Sequence, residues 1–293
     1  MRDAHGCVVS AYTRAVNLLL DDGTLVALLA PGSPLHPWAI MPAADMATLQ
    51  PGMEARISRH TLEAGRLVLQ FARAEIADLR ILFRPSAPPN QNILESLEEL
   101  TSRQCPSDCL QDAVVRNKIH YALHRFESCG DVHSLAELLG LGPGLTPSGD
   151  DVLLGILAAL DTDGGFEPRA TIIRSLLISA LPASLEQFTP LISAQMLRAA
   201  CDGHYPEPVV DLAHMMADPA APPDARQTVL RVLSIGHSSG YYILRGFASA
   251  ARLGWAMSHR RQDKPAWSAW QPEAMSFRSA SVRFPSHKRS PVS

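Results

Sequence analysis

Over the first 85 residues, apolar and polar positions alternate with a period of about two. Val8 to Leu20 and Leu25 to Leu29 are apolar runs flanking Asp21-Asp22-Gly23, a hairpin-type turn signal. Met53, Ala55 and Ile57 alternate with charged residues, and Leu67, Leu69 and Phe71 alternate with Val68 and Gln70. One wet face and one dry face predict half-buried strands. Pro31-Gly32-Ser33-Pro34 and His36-Pro37 break the chain between them. Beyond Pro85, Pro88 and Pro89, which read as a linker, the period changes to 3.6. Helical spacing is carried by Ile93 to Leu100, Leu110 to Phe126, Leu135 to Leu139, Val152 to Leu160, Ile172 to Leu181, Ile192 to Ala200, Val209 to Met216, Val229 to Leu233 and Ile243 to Leu253. The pattern predicts an α+β chain. A small antiparallel β barrel or sandwich at residues 1–88 precedes a mostly α-helical domain at 89–258 that carries a Gly-rich loop.

Composition narrows the partners. A net charge of −3 on 293 residues gives no reason to expect nucleic acid or an anionic membrane. The charge is uneven. Residues 259–293 carry seven Lys/Arg against two acids and read as a basic, disordered tail, leaving −8 on the remainder. Five cysteines without a CxxC spacing suit free thiols in a reducing compartment, with Cys105 and Cys109 a candidate redox pair. The longest apolar stretch, Val152 to Leu160, is nine residues, against roughly 20 for a membrane span. With no secretory signal visible, the cytoplasm is the expected compartment.

The segment that stands apart is Gly140 to Gly155, reading Gly-Leu-Gly-Pro-Gly-Leu-Thr-Pro-Ser-Gly-Asp-Asp-Val-Leu-Leu-Gly. Its glycines allow backbone conformations that turn successive N–H groups toward one anion, and a helix start adds free donors. Ser148 reads as an N-cap, with Asp150 and Asp151 in the first turn. The two carboxylates would repel a phosphate unless a cation or several donors intervene. They could hold Mg²⁺ or accept hydrogen bonds from a substrate amide. The bland alternative is a capped connection between two helices. No Lys follows the last glycine as in a Walker A loop, and no strand precedes it as in a dinucleotide fold.

A second copy echoes the first. Ser148-Gly149-x-x-x-Leu153-x-Gly155 matches Ser239-Gly240-x-x-x-Leu244-x-Gly246, and Gly236-His237-Ser238 precedes the latter. Two helix starts of one design could converge on one site. Gly155 and Gly246 would then be close-packing positions, since a helical glycine otherwise costs about 1 kcal/mol against alanine. His237 could serve as a general acid/base or an anion donor, or as a cap. His120 and His124, four apart, could form a metal pair or sit on a wet helix face. His36-Pro37-Trp38 would line a site or, as favoured here, fill the β core. Asn17 in an apolar run needs a buried partner.

Several of these segments resemble one family. They are Val16-Asn17-Leu18-Leu19, Pro31-Gly32-Ser33-Pro34-Leu35-His36-Pro37-Trp38-Ala39, Gly142 to Asp151, Ile192-Ser193-Ala194 and Gly236-His237-Ser238-Ser239-Gly240. In order and spacing they resemble the AllH-like family, with Gly-Leu-Thr-Pro-Ser-Gly-Asp-Asp the most specific stretch. Tyr241-Tyr242 departs from the more polar pair expected of relatives. The resemblance implies a subunit of oxamate carbamoyltransferase working beside an FdrA-like subunit and a third carbamoyltransferase subunit. That enzyme interconverts oxalurate plus phosphate with oxamate plus carbamoyl phosphate in allantoin (purine) catabolism.

The residues themselves suggest a small anionic substrate. Gly142, Gly144, Thr146, Ser148, Gly149, Ser238, Ser239 and Gly240 are the expected binding positions, and Asp150, Asp151 and His237 the expected catalytic ones. Competing readings are a non-catalytic assembly or regulatory subunit, and an independent Mg²⁺-dependent phosphate-ester enzyme.

Overall fold

The computed structural model describes residues 3–81, 91–103, 113–163, 168–218 and 226–259. The linker prolines, Cys105 and Cys109, and residues 260–293 of the basic tail lie outside them. Residues 1–258 form one compact unit.

Seven strands make a single curled mixed sheet: β1 (Ala4–Ala11), β2 (Ala15–Leu20), β3 (Leu25–Leu29), β4 (Ala39–Ile40), β5 (Glu54–Ile57), β6 (Thr61–Ala64) and β7 (Leu67–Gln70), in the order β4-β3-β2-β1-β5-β6-β7. The run from Val8 to Leu20 belongs to two strands rather than one. The chain reverses at Tyr12–Arg14, where the Tyr12 amide donates to the Ala15 carbonyl at 2.8 Å. The reversal places Asn17 opposite Ser10, and the Asn17 amide donates to the Ser10 hydroxyl at 2.9 Å, satisfying the polar group. Asp21-Asp22-Gly23 forms the expected turn between β2 and β3, with the Thr24 amide donating to Asp22 Oδ1 at 2.8 Å. Val8, Val16, Leu18, Val26, Leu28 and Leu62 fill the dry face.

The expected all-antiparallel pattern fails at one edge, where β4 runs parallel to β3. The proline-rich crossover before β4 docks on the helical layer, so the chain re-enters from the far end. Its anchor is reciprocal: the Glu207 amide donates to the Leu35 carbonyl at 2.8 Å, and the Leu35 amide donates to Glu207 Oε2 at 3.3 Å. A second joint lies nearby. The Leu25 amide donates to Gln195 Oε1 at 2.8 Å, and Gln195 Nε2 donates to the Leu25 carbonyl at 2.6 Å. One side-chain amide thus bonds a strand residue as a neighbouring strand would.

The helical layer contains α1 (Gln91–Arg103), α2 (Ala113–Cys129), α3 (Val132–Ala136), α4 (Ser148–Asp163), α5 (Pro168–Ala180), α6 (Leu191–Cys201), α7 (Glu207–Ala217), α8 (Arg226–Leu233) and α9 (Ser239–His259). From Val152 to Leu160, α4 is buried on every side, which makes it the central helix of the bundle. It packs on α2, α5, α6 and α7. The apolar run Leu135 to Leu139 is not all helix: α3 ends at Ala136 and the chain turns through Glu137–Gly140 into the Gly-rich loop.

Candidate functional site

Two helices meet at their glycines. A Cβ on Gly155 of α4 would overlap the Ile243 carbonyl of α9, and one on Gly246 of α9 would overlap the Val152 carbonyl of α4. The backbones therefore touch, which only glycine allows here. Both helix starts lie on the same side of this crossing. Thr146, just before α4, hydrogen-bonds Ser239, the first residue of α9, through their hydroxyls at 2.9 Å.

Each start has a glycine packed on its serine. A side chain on Gly142 would crowd the Ser148 amide at 2.9 Å, and one on Gly236 would crowd Ser239 Oγ at 3.1 Å. Gly142 and Gly144 take φ values of 117° and 95°, in the region other residues avoid. Among the described residues, no protein acceptor takes the amides of Gly142, Gly144, Leu145, Thr146 or Ser148. The next three amides are committed: Gly149 donates to the Leu141 carbonyl, and Asp150 and Asp151 donate to that of Pro147. Pro147 therefore takes the cap position expected of Ser148, and Ser148 is the first helical residue.

The adjacent aspartates face different surroundings. Asp150 Oδ1 accepts from the Gly140 amide at 2.7 Å. Its Oδ2 accepts from the Ser193 hydroxyl at 2.6 Å and from the Thr189 hydroxyl. Both oxygens are thus used in tying the loop's first glycine to the segment entering α6. Burial raises its pKa, opposed by these three hydrogen bonds.

Asp151 is 6% exposed, and its Oδ2 is buried with no hydrogen-bond partner. It stands four residues before Gly155, hence on the α4 face turned to α9. Burial drives its pKa well above the usual carboxylate range, the charge of Asp150 adds to the rise, and hydrogen bonding from Ser239 opposes it. The carboxyl therefore sits where the two helix starts converge.

The remaining expected residues divide. Gly149 and Gly240 serve packing, since a Cβ on either would overlap the carbonyls of Leu138 and Val232 respectively. Ser238 is half-buried, and its carbonyl accepts from Tyr242 at 3.2 Å. His237 is exposed on the rim. Tyr241 and Tyr242 are core residues, their rings edge to face at 5.2 Å. Thr189 and Ser193, partners of Asp150, were not chosen from sequence. Ser193, a hydroxyl inside the apolar run of α6, also stands in Ile192-Ser193-Ala194, one of the segments that carry the family resemblance.

Other candidates lie apart from this cluster. His120 and His124 are both exposed, and among the described residues no group of three His, Cys, Asp or Glu is placed to hold a metal ion. Trp38 does not fill the β core. It is 53% exposed at a φ of 68° and lines a cleft of about 810 Å³ in the sheet, with Val26, Ile40, Ile57 and Phe71. That cleft contains no residue of the Gly-rich loop. The buried carboxyl oxygen without a partner lies apart from this cleft, at the helix starts. No described helix is long and apolar enough to cross a membrane.

Fold and site together define an α+β chain in which two helix starts meet beside a buried carboxyl. Residues 1–76 match the model of the AllH family N-terminal domain, and residues 138–251 match the model described as oxamate carbamoyltransferase subunit AllH. The chain belongs to the AllH family. No solved structure matches it.

Proposed function

We propose that the chain acts in the cytoplasm as a subunit of an oxamate carbamoyltransferase in allantoin breakdown, beside an FdrA-like subunit and a third protein, and that its two helix starts hold a small anionic substrate. In the reaction, a phosphate oxygen attacks the carbamoyl carbon of oxalurate. The bond from that carbon to the oxamate nitrogen breaks, and the nitrogen takes a proton as oxamate leaves. The observation that carries the reading is the convergence of two helix N-termini. Each end bears about half a positive charge, so bringing them together favours an anion between them. The unbonded amides of Gly144 to Thr146 and Ser148 support it. The Mg²⁺ alternative finds less support, because both Asp150 oxygens serve protein donors.

The test is to co-express the chain with its partners, purify the complex and follow phosphate-dependent release of oxamate from oxalurate. An assembled complex without this activity would overturn the reading. In Gly144→Val, the added side chain meets open space at Cβ but disfavours the left-handed backbone. Its apparent affinity for phosphate is expected to fall at least about tenfold, at a folding cost of about 1–3 kcal/mol. A second role is supported by Leu145, which is 56% exposed at the loop tip: this loop would also meet a partner subunit. Leu145→Ser would then weaken co-purification of the partners.

A further inference from the structure

We infer that Asp151 reads an N–H donor on the bound ligand, so that the site selects small anions carrying a primary amide over isosteres that lack one. The inference rests on the proposed function above and assigns the two aspartates separate tasks, Asp150 being a positioning residue.

A buried acceptor without a donor costs about 1–3 kcal/mol, and such groups are rare in folded chains. Asp151 Oδ2 is one of three such side-chain atoms among the described residues. The second, Arg174 Nε, lies against Asp161 in an ion pair. The third, Ser249 Oγ, is deep within α9, nearly three turns beyond Ser239. Only Asp151 adjoins unbonded backbone amides. The Ser239 hydroxyl cannot relieve it fully, since that hydroxyl is also engaged with Thr146. Asp150 cannot substitute, because the Gly140 amide and the Ser193 and Thr189 hydroxyls take its oxygens.

The donors and the acceptor call for opposite groups on one small molecule. Amides at a helix start take anionic oxygens. The oxygen of the Asp151 carboxyl that carries no proton takes an N–H beside them and rejects a methyl group in the same place, because the methyl would leave that acceptor unpaired. Oxamate and the carbamoyl group both have this form, an NH₂ on a carbonyl next to a negative group. Two isosteric pairs isolate the NH₂: oxamate against pyruvate, and carbamoyl phosphate against acetyl phosphate. The pair that discriminates identifies which reactant occupies the site.

The experiment is calorimetric titration of the complex purified through the full chain, with these four compounds. In wild type, the amide member of at least one pair should bind at least about tenfold more tightly than its methyl counterpart. Asp151→Leu, which keeps the volume and removes both oxygens, should bring the two members within about twofold while retaining affinity for the anion. Asp151→Asn, which keeps one acceptor, should retain part of the preference and serves as the test should the leucine variant not fold. Equal binding of both members by wild type would overturn the inference, as would a preference that survives Asp151→Leu or, if only the asparagine variant folds, one left undiminished by Asp151→Asn. If the complex turns over oxalurate yet shows no Asp151-dependent preference, the inference falls and the proposed function stands. If the complex neither binds nor turns over, both fall.

Discussion

Helix α4 carries a buried carboxyl cluster at each end, and the two are built on opposite terms. At its C-terminal end, Asp161 is ion-paired with Arg174 and hydrogen-bonded by the Tyr205 hydroxyl. Arg174 also donates to the Ala200 and Cys201 carbonyls at 3.2 and 2.9 Å, closing the end of α6. A negative charge at a helix C-terminus is unfavourable, and the guanidinium compensates for it. At the N-terminal end the dipole favours a negative charge, yet Asp151 is left with an unpaired oxygen and no cation. One helix thus has a carboxyl paired with a cation at one end and a carboxyl oxygen without a protein partner at the other. The difference separates a cluster that holds the fold from the one to which the proposed function assigns a ligand.

The sharpest way to break this contrast is at the paired end. Arg174→Met leaves the largely buried Asp161 without its cation and removes a donor from the Cys201 carbonyl, while the Ala200 carbonyl keeps the Gly203 amide and the Tyr205 hydroxyl. Such a loss costs about 3–5 kcal/mol, and thermal melts should fall by roughly 10 °C. Adding Asp161→Asn to that variant should recover part of the loss, since the unpaired charge is then gone. A single Arg174→Met chain as stable as wild type would remove the distinction between the ends.

Asp150→Ala comes next. It strands the Gly140 amide and two hydroxyls, for a loss of about 3 kcal/mol. It should also raise hydrogen exchange at Gly140 and along the loop. Thr189→Val and Ser193→Ala should each cost about 1 kcal/mol, by urea unfolding. Gly155→Ala is expected to cost about 1–3 kcal/mol as the two helices part. Its phosphate affinity should fall more than that of a surface variant of equal stability.

The smallest effect runs the other way. Burial holds the Asp151 proton well above the usual carboxylate range, so the folded chain keeps a proton that the unfolded chain releases. The residue's contribution to stability is then greatest in acid. It declines as pH rises from the ordinary carboxylate pKa toward the raised folded value. Asp151→Asn removes that decline. Its melting temperature should exceed that of wild type by a few degrees at pH 8, the gap closing toward pH 4, since each kcal/mol is worth about 2–4 °C. A gain in stability joined to a loss of ligand preference would mark Asp151 as a residue kept for binding.

Much of this architecture could be read from the residues. Periods of two and 3.6 located the sheet and the helices, and the Ser-Gly-x-x-x-Leu-x-Gly repeat picked out the two helices that touch through Gly155 and Gly246. Local signals failed where no local cause exists. Alternation runs on through Tyr12–Arg14 without Gly or Pro, so the turn between β1 and β2 is invisible until the strands pair. Trp38 reads as core by composition, but it enters β4 at a φ of 68° with its carbonyl accepting from the Ala27 amide, a pairing that local sequence does not show. Most of all, the partners that distinguish Asp150 from Asp151 lie 39 and 43 residues away at Thr189 and Ser193. In sequence the two aspartates are equivalent, and tertiary packing alone makes one a fastening and the other an open acceptor.

The glycine crossing also works as a fulcrum. Each helix start lies seven residues from it, about 10 Å along the axis. A change of about 10° in the crossing angle would swing a start by roughly 2 Å, the difference between a hydrogen bond and none. Because the backbones are in contact at the pivot, little side-chain padding there can absorb the rotation. Whatever leans on the far arm of α9, beyond Gly246, would therefore move the gap between Ser239 and Thr146 as the handles of a pair of shears move its blades.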